Sequence, residues 1–127
     1  MAKIRHIAYR AANVEAMANF FINALEMTLT RRRPQGGIDL SDGAINLAVL
    51  PLKATGPWPA QQGADHIGFV VEDEEEGVRR VEATGARKIG STVDPYQLKF
   101  QGPEGIVVEI GDWPGAEPVG EKRKPGM

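Results

Sequence analysis

The 127-residue chain contains no cysteine, so disulfides, iron–sulfur clusters, thiolate zinc sites and a nucleophilic thiol are all excluded. Any metal ion must be held by imidazole, carboxylate or amide groups. Histidine is scarce as well, with only His6 and His66. Long apolar runs are missing: the longest, Ile45 to Leu52, is interrupted by Asn46 and Pro51 and falls far short of the ~20 residues that span a bilayer. No basic stripe is present and the net charge is −2, which argues against nucleic acid as partner. The first residues carry charge with no apolar signal region behind them, so a cytoplasmic location is expected.

What remains is ordinary globular composition, 42% hydrophobic and 25% charged, in a length that suits one domain. Within it lies a repeat. Arg5-His6-Ile7-Ala8-Tyr9-Arg10 and Asp65-His66-Ile67-Gly68-Phe69-Val70 share a charged residue, His, Ile, a small residue and an aromatic in the same order, 60 positions apart. Each opens a similar succession of elements. Asn13 can cap a helix whose Val14, Met17, Phe20, Phe21, Ala24 and Leu25 recur at helical spacing. Asp73 can cap a second helix that presents Val78 and Val81 inward and starts acidic, with Gly85 as its stop.

Three short strands are predicted after each helix: 28–33, 37–40 and 44–50, then 86–89, 96–101 and 106–110. The expected fold class is therefore α+β, two βαβββ modules forming one curved mixed sheet with a concavity. Module one covers 1–50, a Pro-rich linker 51–63, module two 64–111, and an irregular tail 112–127. The two-residue strand period puts Ile7, Tyr9, Ile67, Phe69, Leu47, Val49, Val108 and Ile110 under the helices. His6, Asn46, His66 and Glu109 then fall on the opposite face, at corresponding places in the two modules, and converge in the concavity. Two histidines, a carboxylate and an amide oxygen make a ligand set for Zn²⁺, Ni²⁺, Mn²⁺ or Fe²⁺, with a hydrogen-bonding role for Asn46 standing open beside ligation, since an amide oxygen is a poor metal donor.

The opening Asp65-His66-Ile67-Gly68-Phe69-Val70 and the closing Gly102-Pro103-Glu104-Gly105-Ile106-Val107-Val108-Glu109-Ile110 resemble the vicinal oxygen chelate superfamily. Its members include glyoxalase I, methylmalonyl-CoA epimerase, fosfomycin-resistance and bleomycin-binding proteins, and extradiol dioxygenases. The resemblance implies a glyoxalase-like half-barrel and a divalent metal on His6, His66, Glu109 and Asn46. At position 46 glyoxalase I usually has Glu and the epimerase Gln. An amide there supplies neither a base nor charge neutralisation, so isomerase, epimerase or lyase chemistry through a metal-stabilised enolate is expected, with Glu109 as the catalytic group.

Two alternatives stand beside it. One is a non-haem Fe(II) ring-cleaving dioxygenase with a two-His, one-Glu triad, although both histidines are already used and none is left for proton transfer. The other is a metal-free small-molecule-binding protein of the bleomycin-resistance kind. Lys99 and Arg33 are candidate substrate-binding residues. Arg31 and Arg33 share one strand face while Arg32 takes the other; the favoured reading is a solvated edge strand whose charge prevents sheet-to-sheet aggregation, and the other is an arginine turned inward to grip an anionic group bidentately. Gln97 and Gln101 are predicted beside Lys99 on the cavity face, and Trp58 and Trp113 are candidates to cover its mouth. A homodimer acting on a small molecule is expected.

Overall fold

The computed structural model describes residues 1–52, 61–89 and 98–120. Trp58 and Gln97 lie outside the described residues, as does most of the linker. The βαβββ succession occurs twice: β1 Ala2–Ala11, α1 Val14–Leu25, β2 Thr28–Arg32, β3 Ile38–Ser41 and β4 Asn46–Pro51, then β5 Gly63–Val71, α2 Glu74–Ala83, β6 Arg87–Ile89, β7 Leu98–Gln101 and β8 Val107–Ile110. All eight strands join one sheet in the order β2-β3-β4-β1-β5-β8-β7-β6. Among the described residues no helix is long and apolar enough to cross a membrane.

Local chemistry sets the boundaries of the helices. The Asn13 side chain accepts a hydrogen bond from the Ala16 amide at 2.9 Å, and Asp73 does the same for Glu76 at 3.2 Å, each satisfying one otherwise orphaned helix donor. Helix α1 ends on Glu26 in the left-handed region at φ 58°. Its Val14, Met17, Phe21 and Ile22 pack on Ile38, Leu40 and Val49. Helix α2 is more polar and has no buried residue, leaning Val78 and Val81 on Val71, Phe100 and Ile110.

Strands β1 and β5 pair antiparallel at the centre of the sheet, which brings the two histidine-bearing strands together. On the outer side of each, β4 and β8 pair parallel. The helix-facing row is less covered than its apolarity suggests: Ile4 is 46% exposed and Ile7 37%, because the helices sit over the outer strands and leave this central strip open. The other face of β1 is the closed one, with His6 and Ala8 buried.

The register corrects one inference from the repeat. Asn46 lies directly beside His6, whereas Glu109 lies beside Gly68, two residues beyond His66. The matching position for Glu109 in module one is thus Ala48, the neighbour of Ala8. A shift of two keeps a side chain on the same face of a strand, so both polar residues still point into the concavity.

Candidate metal centre

His6, Asn46 and His66 are buried, and Glu109 nearly so. A single chain supplies all of them. The Nε2 atoms of His6 and His66 are 3.1 Å apart, and Glu109 Oε2 is 3.6 Å from His66 Nε2. One ligand atom from each of the three lies within 4.8 Å of the others.

Hydrogen bonds behind the rings decide which nitrogen carries the proton. The Asn46 amide group donates through Nδ2 to Asp39 Oδ1 at 3.2 Å and to the Pro114 carbonyl at 3.0 Å, both pure acceptors. Its Oδ1 therefore faces His6 Nδ1 at 2.7 Å, and Nδ1–H must be the donor. On the other ring Nδ1–H donates to Asp65 Oδ2 at 2.7 Å. The two Nε2 atoms then face one another, with a carboxylate oxygen beside them. Burial, the largest influence, lowers the His6 pKa to about 3 and keeps its ring neutral.

Two imidazole nitrogens and a carboxylate oxygen so placed make a donor set that could hold a divalent cation. Imidazole nitrogens sharing one ion at ~2.0–2.1 Å stand roughly 3 Å apart, which the 3.1 Å separation matches. Asn46 is engaged elsewhere: its oxygen is spent on the back of the His6 ring. Asp39, fully buried, stands behind Asn46 and also accepts from Arg31 Nε at 2.8 Å and from Arg33 Nε and Nη2 at 3.1 and 2.8 Å. Burial alone would raise the Asp39 pKa, but these donors outweigh it and hold the carboxyl below its ordinary value.

Lys99 Nζ is 3.4 Å from Glu109 Oε2, on the rim of the site. Arg31 and Arg33 share a face as their alternation predicts, and Arg32 turns away to pair with Glu15 on α1. The two arginines, Lys99, Glu109 and both histidines line one cavity of about 420 Å³, at the small end of the ~300–1,000 Å³ usual for ligand sites.

The tail holds more than its sequence announces. It has no helix or strand through residue 120, yet Trp113 stacks on His6 with centroids 4.3 Å apart and planes 3° from parallel. Gly115 O accepts from Ser41 Oγ at 2.8 Å, and the Glu117 amide donates to Ala44 O at 2.9 Å. Composition rich in Pro, Gly and charge hides this role, because the anchors are backbone carbonyls that any sequence offers. Asp39 was also missed by sequence reasoning; its signal is an acidic residue amid apolar ones in a short strand, Ile38-Asp39-Leu40.

Comparison with known proteins adds a family. A glyoxalase-like domain model matches residues 6–110. No curated protein matches. Among solved structures, a 2,3-dioxygenase from Pseudomonas sp. KL28 is similar at 20% identity, over 94% of this chain and 44% of that one, with TM-score 0.67. The methylmalonyl-CoA epimerase of Mycobacterium tuberculosis is similar at 15% identity, over 93% and 89%, with TM-score 0.62. An Mn(II)-bound glyoxalase from Novosphingobium aromaticivorans is similar at 23% identity, over 85% and 36%, with TM-score 0.62.

Proposed function

The chain belongs to the glyoxalase-like domain family, within the vicinal oxygen chelate superfamily, and on that premise we propose that it is a small divalent-metal enzyme performing isomerase, epimerase or lyase chemistry by moving a proton next to a carbonyl. The observation that carries this reading is the meeting of three acceptor atoms, from His6, His66 and Glu109, with both rings turned by their outer partners. A divalent ion held by these three residues would supply Lewis acidity, worth several kcal/mol of charge stabilisation.

The chain's own groups do the rest. His6 and His66 present their Nε2 atoms in fixed orientation. Asn46, expected from the resemblance as a fourth ligand, serves in this reading to orient His6. Glu109 has two oxygens, so one can serve as ligand while the other takes and returns a proton; Lys99 beside it holds that carboxylate in place. Lys99 and Arg33 face the cavity to receive substrate. Trp113 shields one side of His6 from water. Asn46 itself is no base, which leaves Glu109 as the proton acceptor.

Metal stoichiometry and affinity of wild type, His6→Ala, His66→Ala and Glu109→Gln test the site. Each variant is expected to lose bound metal, whereas Asn46→Ala keeps one ion per chain with ~10–100-fold weaker affinity. Unchanged stoichiometry in all three ligand variants refutes the assignment. Solvent deuterium uptake into a carbonyl substrate supports proton transfer; oxygen consumption with catechols after iron loading would replace it by ring cleavage.

A further inference from the structure

Two guanidinium groups converge on the single carboxylate of Asp39, which gives this cluster one net positive charge on a cavity whose lining also includes Glu109 and Asp112. Arg33 spends Nε and Nη2 on Asp39, and Arg31 only Nε. Nη1 and Nη2 of Arg31 and Nη1 of Arg33 are therefore not spent on that carboxylate. A third arginine on the same cavity, Arg10, donates Nη1 to the Pro51 carbonyl, while its buried Nε finds no hydrogen-bond partner among those residues.

The backbone holds this arrangement in place. Arg33 sits at the mouth of the β2–β3 hairpin, its amide donating to Gly37 O at 2.7 Å and its carbonyl accepting from Gly36 at 3.0 Å. Gly37 leaves room for the arginine stem: a Cβ there would lie 3.2 Å from Arg33 Cδ and 2.9 Å from Leu50. A solvated edge strand would splay like charges apart; here Arg31 and Arg33 are drawn together on a fully buried anchor.

We infer that Arg31 and Arg33, clamped on Asp39, form a subsite for an oxyanion carried by the substrate, a carboxylate or a phosphate, at the wall of the cavity that also holds His6, His66 and Glu109. Guanidinium forks suit either group because parallel N–H donors match its oxygens. This deepens the proposed function, resting on the same cavity taking the substrate. The substrate is then an oxygen-chelating small molecule with a separate anionic end. Asp39 also reaches His6 through Asn46, so the anionic end is tied by hydrogen bonds to a metal-binding ring.

The test follows the Arg Nε–H resonances of the full chain by NMR, after EDTA has stripped any metal and been dialysed away and at constant ionic strength, while acetate or inorganic phosphate is added. Saturable shifts of both Arg31 and Arg33 are expected. Tighter binding of acetate assigns a carboxylate, tighter binding of phosphate a phosphate. Arg31→Gln is the variant of choice because Arg31 is half exposed and Arg33 keeps its two bonds to Asp39, so folding is retained. It should weaken the anion about tenfold, with Arg31→Lys intermediate. Absent shifts, or equal affinity in Arg31→Gln, overturn the subsite. Because EDTA removes metal from the experiment, this outcome is independent of whether the three ligand variants lose their ion.

Discussion

Module one seals its histidine and module two leaves its own nearer the surface. His6 has Asn46 and fully buried Asp39 behind it and the Trp113 ring over it, while His66 is backed directly by Asp65, which is 24% exposed and only 3.7 Å from Arg10. The helices differ in the same direction. Helix α1 closes on Ile38, Leu40 and Val49, whereas α2 leaves an apolar groove of about 540 Å³ lined by Phe69, Val71, Val81 and Val108. The tail reinforces the contrast by bonding to Ser41, Ala44 and Asn46. One repeat thus yields a closely packed half that presents the His6 ring and a less covered half that brings the carboxylate and the lysine. The site is asymmetric because the elements behind it are.

The largest break in that comparison comes from the two carboxylates. Asp39→Ala strips the acceptor from Arg31, Arg33 and Asn46 together, and removing one partner of a buried ion pair costs ~3–5 kcal/mol. Since both arginines retain access to solvent, about 3 kcal/mol is expected in urea unfolding. Asp65→Ala loses one hydrogen bond to His66 and the looser 3.7 Å ion pair with Arg10, and should cost only about 1–2 kcal/mol. Equal losses would show that the two outer shells are equivalent.

A second break lies in one methyl group. The repeat places Ala8 beside His66 but Gly68 beside His6. A Cβ on Gly68 would come within 2.6 Å of the Trp113 ring and 2.7 Å of His6 Cβ, so the missing methyl is the space into which the indole slides. Trp113 can swing on its loop, but His6 is fixed in the central strand. Gly68→Ala should therefore destabilise by ~1–3 kcal/mol, as overpacking does. Detachment of the indole should also shift the tryptophan emission; an unchanged spectrum would deny that the stack depends on Gly68.

Much of this site was legible because repetition and strand period are sequence properties. Asn13 and Asp73 mark their helices, and the alternation in Arg31-Arg32-Arg33 assigns each side chain to its observed face. Register is different. A shift of two along a parallel ladder preserves every face, so periodicity is blind to Glu109 lying beside Gly68 instead of His66. Nor does composition reveal that Asn46 spends its oxygen on His6, since that follows from where Asp39 and the Pro114 carbonyl meet its amide nitrogen. The exposed Ile4 and Ile7 mark a further limit, because apolarity assigns a face without supplying what covers it.

The pH dependence of stability sharpens the comparison by isolating the sealed histidine. In the unfolded chain His6 takes up its proton near 6.5, whereas burial delays that to about 3 in the folded protein. Between these values the unfolded state holds more protons, so acid favours unfolding. Stability of the metal-free protein should be full above 6.5, fall as pH drops toward 3, and lose at most ~1.4 kcal/mol per unit from this group. Asp39 and Asp65, both held below their ordinary values, act with the same sign but only once pH enters the carboxylate range near ~4. Urea unfolding in EDTA at pH 7, 5.5 and 4.8 therefore samples the imidazole window. His6→Gln should flatten the dependence there; if the wild-type slope persists in that variant, the seal over module one is not its source.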